Sequence, residues 1–134
     1  MKTVSKFAVP KLDEDGHADH AHGGAPAHEV PSRAVLDNAG DLLRALAAPV
    51  RIAIVLQLRE SSSCVHDLVD ALAVPQPLVS QHLRILKSAG VVAGERSGRE
   101  VRYRLADHHL SDIVLAAVAH AGEYSGEQAG DGTR

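Results

Sequence analysis

Aromatic side chains are nearly missing from this 134-residue chain: two Tyr, one Phe and no Trp, 2% of the residues. A core without large rings has to be filled by Leu, Val, Ile and Ala, which favours small packed helices over a β-sandwich. Cysteine occurs once, at Cys64, which excludes an internal disulfide framework and points to a reducing, cytoplasmic location. No apolar run approaches the ~18–20 residues of a membrane span. The N-terminus lacks the charged-then-apolar layout of a secretory signal, so no membrane partner is expected. Neither a Ser/His/Asp set nor a phosphate loop is apparent, so an enzyme is not expected. Apolar residues still make up 45%, a globular level, and the length suits one domain.

An excess of positive charge is also missing. The net charge is -3, which taken whole argues against a nucleic-acid partner. Its distribution argues otherwise. Both ends are acidic, while Arg84 to Arg104 holds six basic residues against Glu95 and Glu100. That stretch is a local basic footprint hidden by acidic ends.

Helical or strand periodicity is absent from residues 1–31, where Gly, Pro, Ala and charged residues dominate. We read this as a disordered arm. It carries His17, His20, His22 and His28, which are either solvated or auxiliary metal ligands. An ordered unit is expected over 32–125, and 126–134 reads as a flexible tail.

Ser32 caps a first predicted helix, Arg33 to Leu46, with Val35, Leu36, Ala39, Leu42, Leu43 and Leu46 on its apolar face. Pro49 opens a second helix to about Arg59. A short helix, Cys64 to Leu72, is followed by a turn and a helix from Pro77 to Ser88, with Gln76 at its cap and Gly90 ending it. Two short helices across a tight turn are a helix-turn-helix signature. On the second of them Val79, Leu83 and Leu86 face the core. Ser80, Gln81 and Arg84 point away, and these are residue types that reach base edges and phosphates. His82 leans to the apolar side, which favours packing over a base contact. For Arg51 a surface ion pair is favoured over a phosphate contact.

The period changes after Gly90. Val101-Arg102-Tyr103-Arg104-Leu105 alternates apolar and basic, and Ser97-Gly98 reads as a turn. A β-hairpin after a recognition helix is a wing. Val101, Tyr103 and Leu105 are expected inside and Arg102 and Arg104 outside, with Arg96 and Arg99 at the tip placed to meet a phosphate backbone or minor groove and Arg102 counted with them as a DNA contact. The fold expected is mainly α with a small β-hairpin, a winged helix-turn-helix.

A last helix spans Asp107 to Glu123. Its middle, Ile113 to Ala119, is a near-unbroken apolar run that suits burial against a partner. Its polar ligand-type residues sit at the ends. His109 and His120 are eleven residues apart, about three turns, and share a face with Glu123. One helix cannot close this set on one ion, because eleven residues rise roughly 16 Å. A second copy packed antiparallel can, and a two-fold axis then makes two equal sites. Each site takes Asp107 and His109 from one chain and His120 and Glu123 from its mate. Two imidazoles and two carboxylates in a closed tetrahedral set suit zinc, or cobalt as a mimic. The plainer alternative is an N-cap Asp107 with two surface histidines and a solvated Glu123.

Several of these stretches resemble one family. Asp107-x-His109, ten residues, His120-x-x-Glu123 resembles the C-terminal helix metal site of the ArsR/SmtB family of metal-sensing repressors. Leu43 to Arg51 resembles its "LADPTRL"-like stretch, Val79 to Leu83 its "VSxHL" recognition-helix core, and Gly94 to Tyr103 its wing. The resemblance covers roughly residues 33–124. It implies a winged-helix homodimer held by its terminal helices, which binds operator DNA without metal and releases it on binding metal. Some members also carry a cysteine-containing metal site where this chain has Cys64-Val65-His66. Here that leaves two readings: a buried Cys64 beside a capping Asp67, or a second zinc site using Cys64, His66 and an arm histidine. Cobalt or nickel sensing in the same family is the runner-up function, and a cytosolic zinc buffer the alternative from another class.

Overall fold

The computed structural model describes residues 28–131, with side chains through Ser125. The expected disordered arm lies outside the described residues as far as residue 27, and with it His17, His20 and His22. Ser32 caps helix α1 (Arg33–Leu46), its hydroxyl accepting from the Val35 N–H at 3.2 Å. Helix α2 (Pro49–Glu60) starts on a proline, whose missing N–H costs nothing in the first turn. Helices α3 (Val65–Leu72) and α4 (Gln76–Ser88) follow. Strands β1 (Val92–Ser97) and β2 (Glu100–Leu105) form one antiparallel hairpin, and α5 (His108–Asp131) completes the order.

The core lies where α2, α3, α4 and the root of the hairpin meet. Ile54 and Val55 of α2, Leu68 of α3, and Val79 and Leu86 of α4 are fully shielded. Val91 and Val92 close the core from the hairpin side, and Leu110 and Val114 close it from α5. Burying each such side chain contributes about 1.5–3 kcal/mol. No ring larger than the half-buried Tyr103 packs against this cluster, as the composition required.

Four boundaries differ from expectation. Gln76 is the first residue of α4 and Pro75 its cap, because proline is tolerated anywhere in a first turn and Pro77 fits the second position as well as the first. Cys64 caps α3 rather than belonging to it. The hairpin loop is Gly98-Arg99, with Ser97 still paired to Glu100. Gly98 takes φ 67°, a left-handed value that a two-residue hairpin loop favours at its first position. Helix α5 continues to Asp131, so part of the stretch read as a tail is helical; Glu127, Gln128 and Ala129 are good helix formers.

One face of α1 does not reach the core. Ala45 and Leu46 are buried, but Val35, Leu36 and Leu43 are 54%, 38% and 55% exposed. On α5, Ile113 and Val118 are exposed as well, along with Ala116, Ala117 and Ala119. Both terminal helices thus keep an apolar stripe that the described residues leave uncovered.

Candidate nucleic-acid interface and metal centre

Helix α4 divides cleanly by face. Val79, Leu83 and Leu86 are buried, and Gln76, Gln81 and Arg84 are exposed on the other side, with Ser80 half-buried between. Among the described residues no ion pair engages Arg84, so its guanidinium faces outward unspent. His82 is half-buried and held: its Nδ1 lies 3.1 Å from the Arg51 guanidinium. Arg51 Nε also donates to the Ala45 carbonyl at 2.6 Å. Arg51 is therefore neither a surface ion pair nor a free phosphate contact. It ties the end of α1 to α2 and to the recognition helix.

The wing carries its arginines unequally. Arg96 and Arg99 are exposed at and beside the tip, and among the described residues neither has an ionic partner. Arg104 is exposed too, donating weakly to the Leu105 carbonyl at 3.4 Å. Arg102 lies on the outward side of β2 with Arg104, as strand alternation expects, and its side chain folds over the neighbouring loop. It is half-buried, and its guanidinium donates to the Ser62 carbonyl at 2.8 Å and to the Ser62 hydroxyl at 3.4 Å. The Asp67 carboxylate lies 3.8 Å away. The reason is a short third strand contact. Ser63 and Tyr103 exchange backbone hydrogen bonds of 3.0 and 2.8 Å, which brings the loop before α3 under the Arg102 side chain.

The start of α5 is built by Asp107. Its carboxylate accepts from the His109 N–H at 2.9 Å and lies 2.7 Å from His109 Nδ1. The His109 N–H, with the imidazole beside it, holds this carboxyl below its ordinary value of 3.8. Both side chains are largely exposed, as are His120 and Glu123 further along the helix. The donor set fits a divalent metal: one oxygen and one imidazole nitrogen already adjoin, and a tetrahedral ion with ~2.0–2.1 Å bonds needs them only roughly 3.3 Å apart. Within one chain, no group of three or more His, Cys, Asp or Glu side chains converges among the described residues. The structure brings Asp107 and His109 together and leaves His120 and Glu123 on the same helix without them.

Cys64 is buried, and its backbone N–H donates to the Asp67 carboxylate at 3.2 Å. That hydrogen bond, ahead of the neighbouring thiol and Arg102, holds Asp67 below its ordinary value. His66 is exposed, so the two residues of the candidate second metal site are split between interior and surface.

Three features escape a reading by periodicity: the Arg51–His82 tie, the Arg102–Ser62 contact and Gly94. A side-chain carbon at Gly94 would sit 3.0 Å from Val101 Cγ1 and 3.1 Å from Tyr103 Cε1, so the strand is glycine there because Tyr103 lies over it. The signal for the last was present, since Gly94 pairs directly with Tyr103 once the hairpin register is set.

Residues 48–93 match the model of bacterial regulatory proteins of the arsR family. The HTH-type transcriptional repressor SmtB of Mycobacterium tuberculosis is 83% identical over 93 residues, which are 69% of this chain and 69% of that protein. The regulator NmtR of the same organism is 38% identical over 96 residues, 72% of this chain and 79% of its own length. The homodimeric winged helix-turn-helix DNA-binding domain of a possible ArsR-family regulator from Mycobacterium bovis superposes with a TM-score of 0.62 at 27% identity, covering 68% of this chain and 84% of that one. These relatives are transcription regulators rather than enzymes, and the fold described above is their winged helix-turn-helix. The chain belongs to the ArsR/SmtB family of bacterial transcription regulators, on its SmtB-like branch.

Proposed function

We infer that this protein is a zinc-responsive transcriptional repressor acting as a homodimer. Without metal the dimer binds operator DNA, and zinc held at the inter-subunit ends of α5 releases it. One observation carries the reading. The Asp107–His109 pair is assembled at one end of α5, and its complement, His120 and Glu123, stands about three turns along the same helix. A second chain is what brings the halves together, and the uncovered apolar stripes of α1 and α5 give it a surface to pack on. Gln76, Ser80, Gln81 and Arg84 would address the major groove, and Arg96 and Arg99 the backbone. A zinc buffer needs none of these DNA-facing groups.

Metal release of DNA requires tighter zinc binding to one dimer conformation than to the other. The coupling is reciprocal, so bound DNA must weaken zinc binding by the same factor. The test is fluorescence anisotropy with a duplex enriched from a random library by the metal-free chain, titrated in chelator and then with zinc, cobalt or nickel. Zinc should lower affinity by roughly 5–150-fold, the usual range of allosteric coupling. Failure of the metal-free chain to retain any duplex overturns the repressor reading. Stronger release by cobalt or nickel than by zinc reassigns the metal.

A further inference from the structure

We propose that Arg102 is a positioning residue for the wing: it clamps strand β2 to the loop before α3 and so sets where Arg96 and Arg99 meet DNA. The inference rests on the reading of the wing as a DNA-binding element.

Three observations converge on Arg102. Two of its guanidinium N–H groups are engaged within the chain, on the Ser62 carbonyl and hydroxyl, with Asp67 3.8 Å behind. Glu95 stands directly across from Arg102 in the hairpin register, where an opposite charge is a natural cross-strand partner. The guanidinium turns to Ser62 and Asp67 instead. The contact also lies beside the backbone bridge between Ser63 and Tyr103, so side chain and main chain fasten the same two segments.

Position on the hairpin gives the clamp its leverage. The root of the wing is fixed by the buried Val92 and by half-buried Tyr103 and Leu105. Everything from Gly94 to Glu100 is exposed. Arg102 sits between, where the hairpin meets the loop before α3. A two-stranded hairpin is marginal alone, so the aim of its tip depends on such anchors. Asp67 is held by the Cys64 N–H, which makes the opening turn of α3 a firm abutment for the guanidinium. Lysine cannot reproduce the contact, because a point charge lacks the planar fork that reaches the carbonyl and hydroxyl of Ser62 together.

Two readouts on the full chain test the assignment. The first needs no DNA: amide hydrogen exchange at Ser63 and Tyr103, with thermal unfolding to verify that each variant is folded. Arg102→Ala and Arg102→Lys should both speed exchange at these amides by roughly tenfold or more, as for loss of a charge-assisted hydrogen bond. The second is the salt dependence of binding to the enriched duplex. Arg99→Ala should reduce the slope by about one, as for a lost phosphate contact. Arg102→Ala and Arg102→Lys should each weaken binding while keeping the wild-type slope. Two results overturn the proposal: unchanged exchange in both Arg102 variants, or a slope lowered by about one in Arg102→Ala and restored in Arg102→Lys. If no duplex binds the wild-type chain, the repressor reading fails, while the exchange experiment still decides whether Arg102 clamps the wing.

Discussion

Arg51 does for the helices what Arg102 does for the hairpin. One guanidinium satisfies the Ala45 carbonyl near the end of α1 and meets His82 on the recognition helix. The orphan carbonyls at a helix end need such donors, and a half-buried site makes the bond matter. An exposed ion pair at this position would be worth at most ~1 kcal/mol. Arg51→Ala should instead lower stability by about 1.5–3 kcal/mol, and Arg51→Lys should recover little because the fork is lost. Urea unfolding followed by far-ultraviolet circular dichroism measures both; full recovery by lysine would mean that charge alone matters. The sequence could not reveal this tie. His82 leans to the apolar side and is correctly read as packed, but its partner lies 31 residues away and no local pattern joins them. The Arg102 contact was hidden for the same reason. Alternation placed Arg102 outward with Arg104, and the loop that captures it is 40 residues distant.

Elements were far more legible than contacts. Helix periodicity and proline positions located α1 to α4, and the switch from a 3.6-residue to a two-residue period located the hairpin. Boundaries slipped where two choices cost nearly the same, as at Gln76-Pro77 and in the helical stretch beyond Ser125. The turn slipped by one residue, but the residue it depends on was in view. Gly98 holds φ 67°, and a branched side chain there is strained even though the space around it is open. Gly98→Val should therefore cost about 1–2 kcal/mol. Gly98→Asn, which tolerates the left-handed region, should cost clearly less. Thermal unfolding of the two variants provides the comparison, and equal losses would show that bulk rather than backbone conformation sets the cost. The element least determined by its own chain is α5. Among its described side chains, the buried ones, Leu110, Ser111 and Val114, lie in the first two turns, while Ala116 to Ala119 are exposed. An apolar run with no cover among the described residues is what a helix destined for a partner looks like.

At the scale of the whole molecule, half of the candidate metal centre is visible in any one chain. The Asp107–His109 pair is assembled, and His120 and Glu123 are too far along the helix to join it, so spacing alone carried the reading beyond a single chain. A cross-chain arrangement has a consequence that an in-chain site lacks. In a dimer of one His109→Ala chain and one His120→Ala chain, both lesions fall in the same cross-chain site, because each such site takes His109 from one chain and His120 from the other. The second site then draws its intact His109 from the His120→Ala chain and its intact His120 from the His109→Ala chain, and it survives whole. With sites inside each chain, every site would carry one lesion. Purified mixed dimers, made with two distinct affinity tags, should therefore bind one zinc per dimer tightly, against two for the wild type and none for dimers of either variant alone. Isothermal titration in the presence of a competing chelator reads this stoichiometry directly. Absence of tight zinc from the mixed dimer would rule out the cross-chain site. Zinc-driven DNA release that persists in a His109→Ala/His120→Ala double variant would move the sensing role away from α5 altogether, toward Cys64 and His66 at the start of α3.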